Sequence, residues 1–271
     1  MKVGVVGAGT MGAGIAQTFA TAGYDVTMVD VASAQLERGM QAIGASLAKL
    51  EEKKKLPAPA REISARIRTS TDLAALAAAD LVVEAAYEDR AVKEELFATL
   101  DRVLREDVIL ASNTSSLPIG ALAERTTRPE RVAGMHFMNP VPIMTLVEVV
   151  RGARTSDETL AAICDLARRL GKTPVVSADR PGFIANRILM PMINEAFIAL
   201  EEGVGSAEDI DTVMTLGMNH PIGPLRLADL IGLDVCLAVM EVLERDLADD
   251  KYRPAATLRD LVAAGRLGRK S

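Results

Sequence analysis

A chain of 271 residues is long enough for one large α/β domain and a smaller companion, and its hydrophobic fraction of 49% is that of an ordinary globular protein. A net charge of −6 argues against a general nucleic-acid binder, and no apolar run approaches the roughly 20 residues of a membrane span. The two cysteines, Cys164 and Cys236, lie far apart without a CxxC or a His/Cys cluster, which points to reduced, buried thiols and to no metal site.

The opening residues pass directly into a β-branched run, Val3–Val6, so no signal peptide is expected ahead of the fold and the cytoplasm is the expected compartment. Gly7-Ala8-Gly9-Thr10-Met11-Gly12 follows, then an Ala-rich helical stretch to Thr21 and a second strand, Asp25–Val29, ending in Asp30. A lone GxGxxG is a weak signal, but strand, glycine loop, helix and terminal acid together predict a dinucleotide site. Gly7 permits a tight turn, Gly9 lets the backbone approach a pyrophosphate, and Gly12 lets helix and strand pack closely. Thr10 and Met11 open the helix, whose N–H groups and dipole face the phosphates. Asp30 is placed to accept from a ribose diol, and its charge disfavours a 2′-phosphate, so the expected cofactor is NAD rather than NADP.

Ala32 to Lys55 predicts a long helix ending in Glu51-Glu52-Lys53-Lys54-Lys55, stopped by Leu56-Pro57-Ala58-Pro59. Ser46 and Lys53 are two turns apart and share a face; from the residues alone the charge run reads as a solvated helix end. A short strand at Ile67–Thr69, a small helix from Asp72 to Ala78 and a buried strand, Leu81–Ala86, come next. Glu84, Glu88 and Lys93 fall on the side where open α/β sheets bind their ligands. Asp89–Arg105 reads as an amphipathic helix and Val108–Ala111 as a strand, and this alternation predicts a doubly wound, mainly parallel sheet.

That strand runs into Ser112-Asn113-Thr114-Ser115-Ser116-Leu117-Pro118, a hydroxyl and amide cluster which alone could be a capped turn. His136, one of only two histidines, ends an apolar run 21 residues after Ser115, and Glu148 lies 12 residues further on inside a second apolar run. If 131–137 and 145–150 are adjacent antiparallel strands about a centre near Pro142, His136 and Glu148 face each other. A carboxylate on one ring nitrogen fixes the tautomer of the other, which is how a general base is built. A lone histidine is more often a satisfied core residue, and the hydroxyl cluster upstream shifts that balance toward an active site.

Beyond Val150 a helix from Asp157 to Leu170, N-capped by Ser156, and a strand, Thr173–Ser177, complete the first domain, set at residues 1–180. A second, smaller all-α domain is expected over 181–271. Its first helix, Ile184 to Glu202, is apolar nearly all round and carries Pro191, and a helix buried on several sides predicts a homodimer. Ser206 and Asp209 resemble a capping box, His220 sits in a rigid loop, and a final helix is expected near Ala256–Ala264.

Asn113-Thr114-Ser115-Ser116, His136-Phe137-Met138-Asn139-Pro140 and Leu146-Val147-Glu148-Val149 closely resemble the signature of the L-3-hydroxyacyl-CoA dehydrogenases, with bacterial single-function 3-hydroxybutyryl-CoA dehydrogenases most similar. The resemblance runs from Val3 to Lys270, although the Gly-rich segment with a Phe-Tyr pair that usually follows Lys270 in the family is absent. It implies a Rossmann-type first domain, NAD as cofactor and acyl-CoA as substrate, with neither nucleic acid nor membrane as a partner. It further implies His136 as general base, Glu148 as the carboxylate that orients it, and Ser115 and Asn186 as hydrogen-bonding partners of the substrate's 3-oxygen. By the same resemblance Gly7, Gly9, Thr10, Met11, Gly12, Asp30, Glu88, Lys93, Ser115, Asn139 and Lys270 contact the cofactor, while Ser46, Lys53 and Ser115 contact coenzyme A. This reverses the bland reading of the Lys53 helix end. The implied reaction is reversible oxidation of a short L-3-hydroxyacyl-CoA to the 3-ketoacyl-CoA, in a cleft closing over the acyl chain. The alternatives are a related dehydrogenase of a non-CoA substrate, such as a sugar acid or carnitine, and a non-catalytic NAD-binding protein. The first would be indifferent to Lys53, and the second has no need of Ser115, His136, Glu148 and Asn186 together.

Overall fold

The computed structural model describes residues 1–269; Lys270, one of the expected cofactor positions, lies outside them. The chain divides into two compact units, the first ending at Asp179 and the second beginning at Arg180.

The first unit is built on eight strands: β1 (Lys2–Val6), β2 (Asp25–Val29), β3 (Ile67–Ser70), β4 (Leu81–Glu84), β5 (Ile109–Ser112), β6 (Val132–Phe137), β7 (Leu146–Arg151) and β8 (Thr173–Ala178). They lie in the order β3-β2-β1-β4-β5-β6-β7-β8. The first six are parallel, β7 runs antiparallel to β6, and β8 is parallel to β7. Strands β4 and β6 are buried along their whole length, as their mainly apolar runs require in a sheet covered on both faces, with Glu84 and His136 the polar exceptions. The covering helices are α1 (Thr10–Thr21), α2 (Ser33–Glu52), α3 (Ala60–Ser64), α4 (Arg90–Val103), α5 (Ile119–Ala123) and α6 (Asp157–Arg169). Val5, Ile15, Phe19, Met28 and Val83 are fully buried in this core, each contributing about 1.5–3 kcal/mol by leaving water. Because the order reverses beside β1, the carboxyl ends of β1, β4, β5 and β6 form one continuous edge, where such sheets hold their ligands.

Two local expectations are corrected, and one short helix was not expected. Between β3 and β4 the chain makes only a 3₁₀ turn, Leu73–Leu76, because the Asp72 side chain accepts from Ala74 N–H at 2.8 Å and closes a tight turn in a short alanine-rich segment. Helix α2 stops at Glu52 rather than Lys55, since Lys54 takes φ +55° and turns the chain back. Helix α3 follows that turn, with no sequence signal beyond the prolines before it.

The second unit is wholly helical among the described residues: α7 (Ala185–Glu201), α8 (Ala207–Thr212), α9 (Pro224–Ile231), α10 (Leu233–Leu247) and α11 (Ala256–Ala263). Met190, Ile193, Phe197, Met240, Leu243 and Leu258 form its core. Pro191 is accommodated within α7 without ending it. The Asn194 side chain is 2% exposed and spans two backbone groups, accepting from Ala255 N–H at 2.8 Å and donating to the Arg253 carbonyl at 3.0 Å. Ser206 and Asp209 form the reciprocal capping box at the start of α8, which ends in a π-type turn, Val213–Gly217.

Candidate active site

The glycine loop joins β1 to α1. Gly7 has φ +100°, a conformation that favours glycine, and a Cβ at Gly12 would stand 1.9 Å from the Gly7 carbonyl oxygen. Both glycines are demanded by the chain's own packing. Gly9 is different: a Cβ there would meet nothing nearer than the Gln35 side chain at 3.8 Å. The open backbone at Gly9 leads into α1, whose first turn has no side-chain cap, and Gly9 and Thr10 line a hollow there. This cradle fits a dinucleotide pyrophosphate. Asp30 lies at the carboxyl end of β2, where its Oδ2 accepts from Ala8 N–H at 2.9 Å and its Oδ1 from Ala32 N–H at 3.1 Å. Each oxygen keeps a further lone pair with which to accept from a ribose diol.

Between β4, β5 and α4 lies a buried polar network. Lys93 is 1% exposed; its Nζ donates to Glu84 Oε1 at 2.5 Å and to the Ala86 carbonyl at 3.3 Å, and pairs with Glu88 Oε2 at 3.1 Å. Glu84, fully buried, also accepts from Ser112 Oγ at 2.6 Å and from Ala86 N–H at 2.7 Å. Glu88 Oε1 accepts from Thr114 Oγ1, from Ser115 N–H at 3.1 Å and from Ser116 Oγ at 3.1 Å. Burial alone would raise the Glu88 pKa, but the Lys93 charge and these hydrogen bonds outweigh it and hold the carboxyl below its ordinary value. The hydroxyl cluster after β5 is therefore fastened to a carboxylate that is itself fastened to a buried cation. All three Lys93 donors are engaged within the chain, by Glu84, Ala86 and Glu88.

His136 and Glu148 are direct partners in the β6–β7 ladder. His136 Nδ1 lies 3.1 Å from Glu148 Oε2, with the residues 8% and 2% exposed. With the carboxylate as acceptor the proton sits on Nδ1, which leaves Nε2 as the nitrogen that takes a proton. Asn113 Oδ1 accepts from the Phe137 backbone N–H at 2.8 Å and so ties the hydroxyl loop to the residue following His136. The connection from β6 to β7 includes a cis Asn139–Pro140 bond, and the Lys172 Nζ holds its backbone by donating to the Val141 carbonyl at 2.7 Å and the Met144 carbonyl at 2.6 Å.

The structure thus gathers Gly7, Gly9, Gly12, Asp30, Glu88, Ser115 and His136 at the carboxyl edge of one sheet, with Glu148 on the facing strand. Ser46 lies in α2 and Lys53 caps its end, and they line separate hollows: Ser46 one beside Gly9, Thr10 and Asn139, Lys53 another at the helix end. Asn186 stands in the first turn of α7, in the second unit. Sequence reasoning missed Asn113 and Lys172 as holding groups, and the burial of Lys93. The last had a signal, for Lys93, Phe97 and Leu100 form an i, i+4, i+7 stripe that is buried as a unit.

Residues 2–180 match the family model of the 3-hydroxyacyl-CoA dehydrogenase NAD binding domain, and residues 182–271 that of the 3-hydroxyacyl-CoA dehydrogenase C-terminal domain. A probable 3-hydroxybutyryl-CoA dehydrogenase of Deinococcus radiodurans is 55% identical over 271 residues, covering 100% of this chain and 98% of the relative. The human mitochondrial hydroxyacyl-coenzyme A dehydrogenase is 44% identical, over 99% of this chain and 88% of its own. The crystal structure of (S)-3-hydroxybutyryl-CoA dehydrogenase from Ralstonia eutropha superposes with a TM-score of 0.95 at 53% identity, covering 99% of this chain and 95% of that one.

Proposed function

The chain belongs to the 3-hydroxyacyl-CoA dehydrogenase family, and from that premise we propose that it oxidises an L-3-hydroxyacyl-CoA reversibly to the 3-ketoacyl-CoA, with the four-carbon 3-hydroxybutyryl thioester as its substrate. The observation that carries this reading is the His136–Glu148 pair, held at 3.1 Å beside the loop that bears Ser115. NAD, when bound at the glycine loop, supplies the acceptor for the hydride leaving C3. His136 Nε2 takes the proton from the 3-hydroxyl, and Glu148 balances the imidazolium charge that results. Ser115 orients the 3-oxygen, contributing through alignment as much as polarity. Asp30 receives the ribose diol and Glu88 stands at the same edge. Ser46 and Lys53 take the coenzyme A portion, and Asn139 the cofactor.

The test is NADH consumption with acetoacetyl-CoA, repeated with free acetoacetate and then with NADPH. The expected result is rapid oxidation of NADH with the thioester alone and a much weaker response to NADPH. Equal rates with free acetoacetate would reject the thioester reading, and equal rates with NADPH would reject the role given to Asp30.

The second unit leaves Ile188, Val204, Val213, Leu216 and Met218 more than half exposed, an apolar content that supports association into a homodimer. Light scattering should return about twice the 28.8 kDa chain mass; a single chain mass at micromolar concentration would reject the dimer. The cytoplasm is the compartment proposed for it; no described helix is long and apolar enough to cross a membrane, and both cysteines are buried.

A further inference from the structure

The chain carries eight aromatic residues, five Phe and three Tyr. Seven of them pack into the folded units. All five Phe and Tyr252 are at most 5% exposed, and Tyr24, half-buried, meets Phe19 edge-on with ring centroids 5.8 Å apart. Tyr87 is the exception. It is 80% exposed, and among the described residues its ring meets neither another ring nor a cation. A single exposed apolar side chain is ordinary on a protein surface. Tyr87 is set apart by where it stands and by how firmly its backbone is held.

It lies in the turn between β4 and α4, at the ligand edge of the sheet, and each flanking residue is tied down. Ala85 N–H donates to the Val6 carbonyl at 2.7 Å, Ala86 N–H donates to Glu84 Oε1 at 2.7 Å, and the Ala86 carbonyl accepts from Lys93 Nζ at 3.3 Å. On the other side Glu88 is fastened to Ser115 N–H at 3.1 Å. Asp89 accepts from Val92 N–H at 2.9 Å while its own N–H donates to the Tyr87 carbonyl at 2.9 Å. The ring thus projects from a backbone that is already ordered, so a ligand packing against it has little further chain entropy to overcome.

The same turn abuts the glycine loop. A Cβ at Gly7 would stand 2.4 Å from the Ala85 carbonyl oxygen, and one at Gly12 would stand 3.7 Å from the Ala85 Cβ. Strand β4 neighbours β1 on the side away from β2. A dinucleotide with its pyrophosphate on the glycine loop and its adenosine ribose at Asp30, on the β2 side, therefore extends its other half toward β4 and the Ser115 loop.

We propose that Tyr87 is a cofactor-binding residue of this chain, its ring packing against the nicotinamide half of NAD as a wall of the site on the β4 side. An aromatic face suits that task, because it covers a ribose or a flat ring with apolar area at the cost of few rotatable bonds. The proposal rests on the glycine-loop cradle and is independent of the thioester reading. An enzyme that bound NADH but failed to reduce acetoacetyl-CoA would remove that reading and leave this one standing.

The test compares Tyr87→Ser and Tyr87→Phe with the wild type in calorimetric titrations of NADH and of ADP, with tyrosine emission followed in parallel. Tyr87→Ser should weaken NADH binding about tenfold, the order expected for one lost aromatic face, and leave ADP, which ends at the diphosphate, within about twofold. Its melting temperature should match the wild type, since a side chain this exposed adds little to the fold. Tyr87→Phe keeps the ring, so its NADH affinity should stay within about twofold. The chain has no tryptophan, so its emission comes from tyrosine, and Tyr87→Phe should lose most of the quenching that NADH produces in the wild type. Unchanged NADH affinity in Tyr87→Ser overturns the proposal. An equal loss for NADH and ADP also overturns it, by placing the ring on the adenosine half. Full quenching in Tyr87→Phe does the same, and so does a lowered melting temperature in Tyr87→Ser, which would make Tyr87 a structural residue.

Discussion

His136→Gln is expected to lower turnover by about 10³-fold while NADH binding stays within about twofold, as judged by fluorescence titration. Glutamine approximates the length of imidazole and can still donate to Glu148, so the β6–β7 ladder and the buried carboxylate keep a partner. What it lacks is an atom able to take and return a proton at neutral pH. The loss therefore falls on kcat, by about 4 kcal/mol of transition-state stabilisation, and not on the fold or the glycine loop. Turnover within a few-fold of the wild type would remove His136 from the mechanism.

Lys93→Met is the corresponding experiment on stability. Lys93 is the cation that balances Glu84, and both side chains are 1% exposed. Removing it strands a carboxylate in the core between β4 and β5, where an unpaired charge costs about 3–5 kcal/mol. A thermal melt should show a clear downward shift, and Lys93→Met/Glu84→Gln should recover much of it, because the double variant leaves no bare charge. A single variant that melts with the wild type would mean that the pair contributes nothing. The same cation produces a pH signature. Glu88 has its pKa lowered in the folded chain, so the stability it adds is fully present above its ordinary value of 4.5 and is lost as pH falls through the lower folded value. Wild-type melting temperature should fall in that acid range, with a weaker acid dependence when Lys93 is absent.

Much of the sheet was legible in the sequence because its signals are local. The runs Val3–Val6 and Leu81–Glu84, the glycines between β1 and α1, and the acid ending β2 each announce themselves within a few residues. The facing of His136 and Glu148 was legible for a less local reason: two apolar runs about a proline-rich connection allow few registers, and the ladder adopts the symmetric one. The buried network was not legible as a network. Glu84, Glu88, Lys93, Ser112 and Thr114 could each be placed near the ligand edge, but which carboxylate meets which donor depends on strand neighbours far apart in the chain. The hollow at the Lys53 helix end was not legible for the opposite reason. Its composition is that of a solvated terminus, and only the fold brings Arg169, more than a hundred residues later, to the same hollow.

The β6–β7 hairpin separates two kinds of constraint within some fifteen residues. Its ladder fixes His136 against Glu148 through backbone hydrogen bonds that do not depend on what joins the strands. Its connection, pinned by Lys172, supplies Pro142 to both hollows on that side of the unit. On the roles proposed above, changes in the connection are expected to act on the hollows while the ladder keeps His136 against Glu148. The expected outcome is that a library confined to residues 140–145 reshapes the hollows that Pro142 lines while leaving the His136–Glu148 pairing in place.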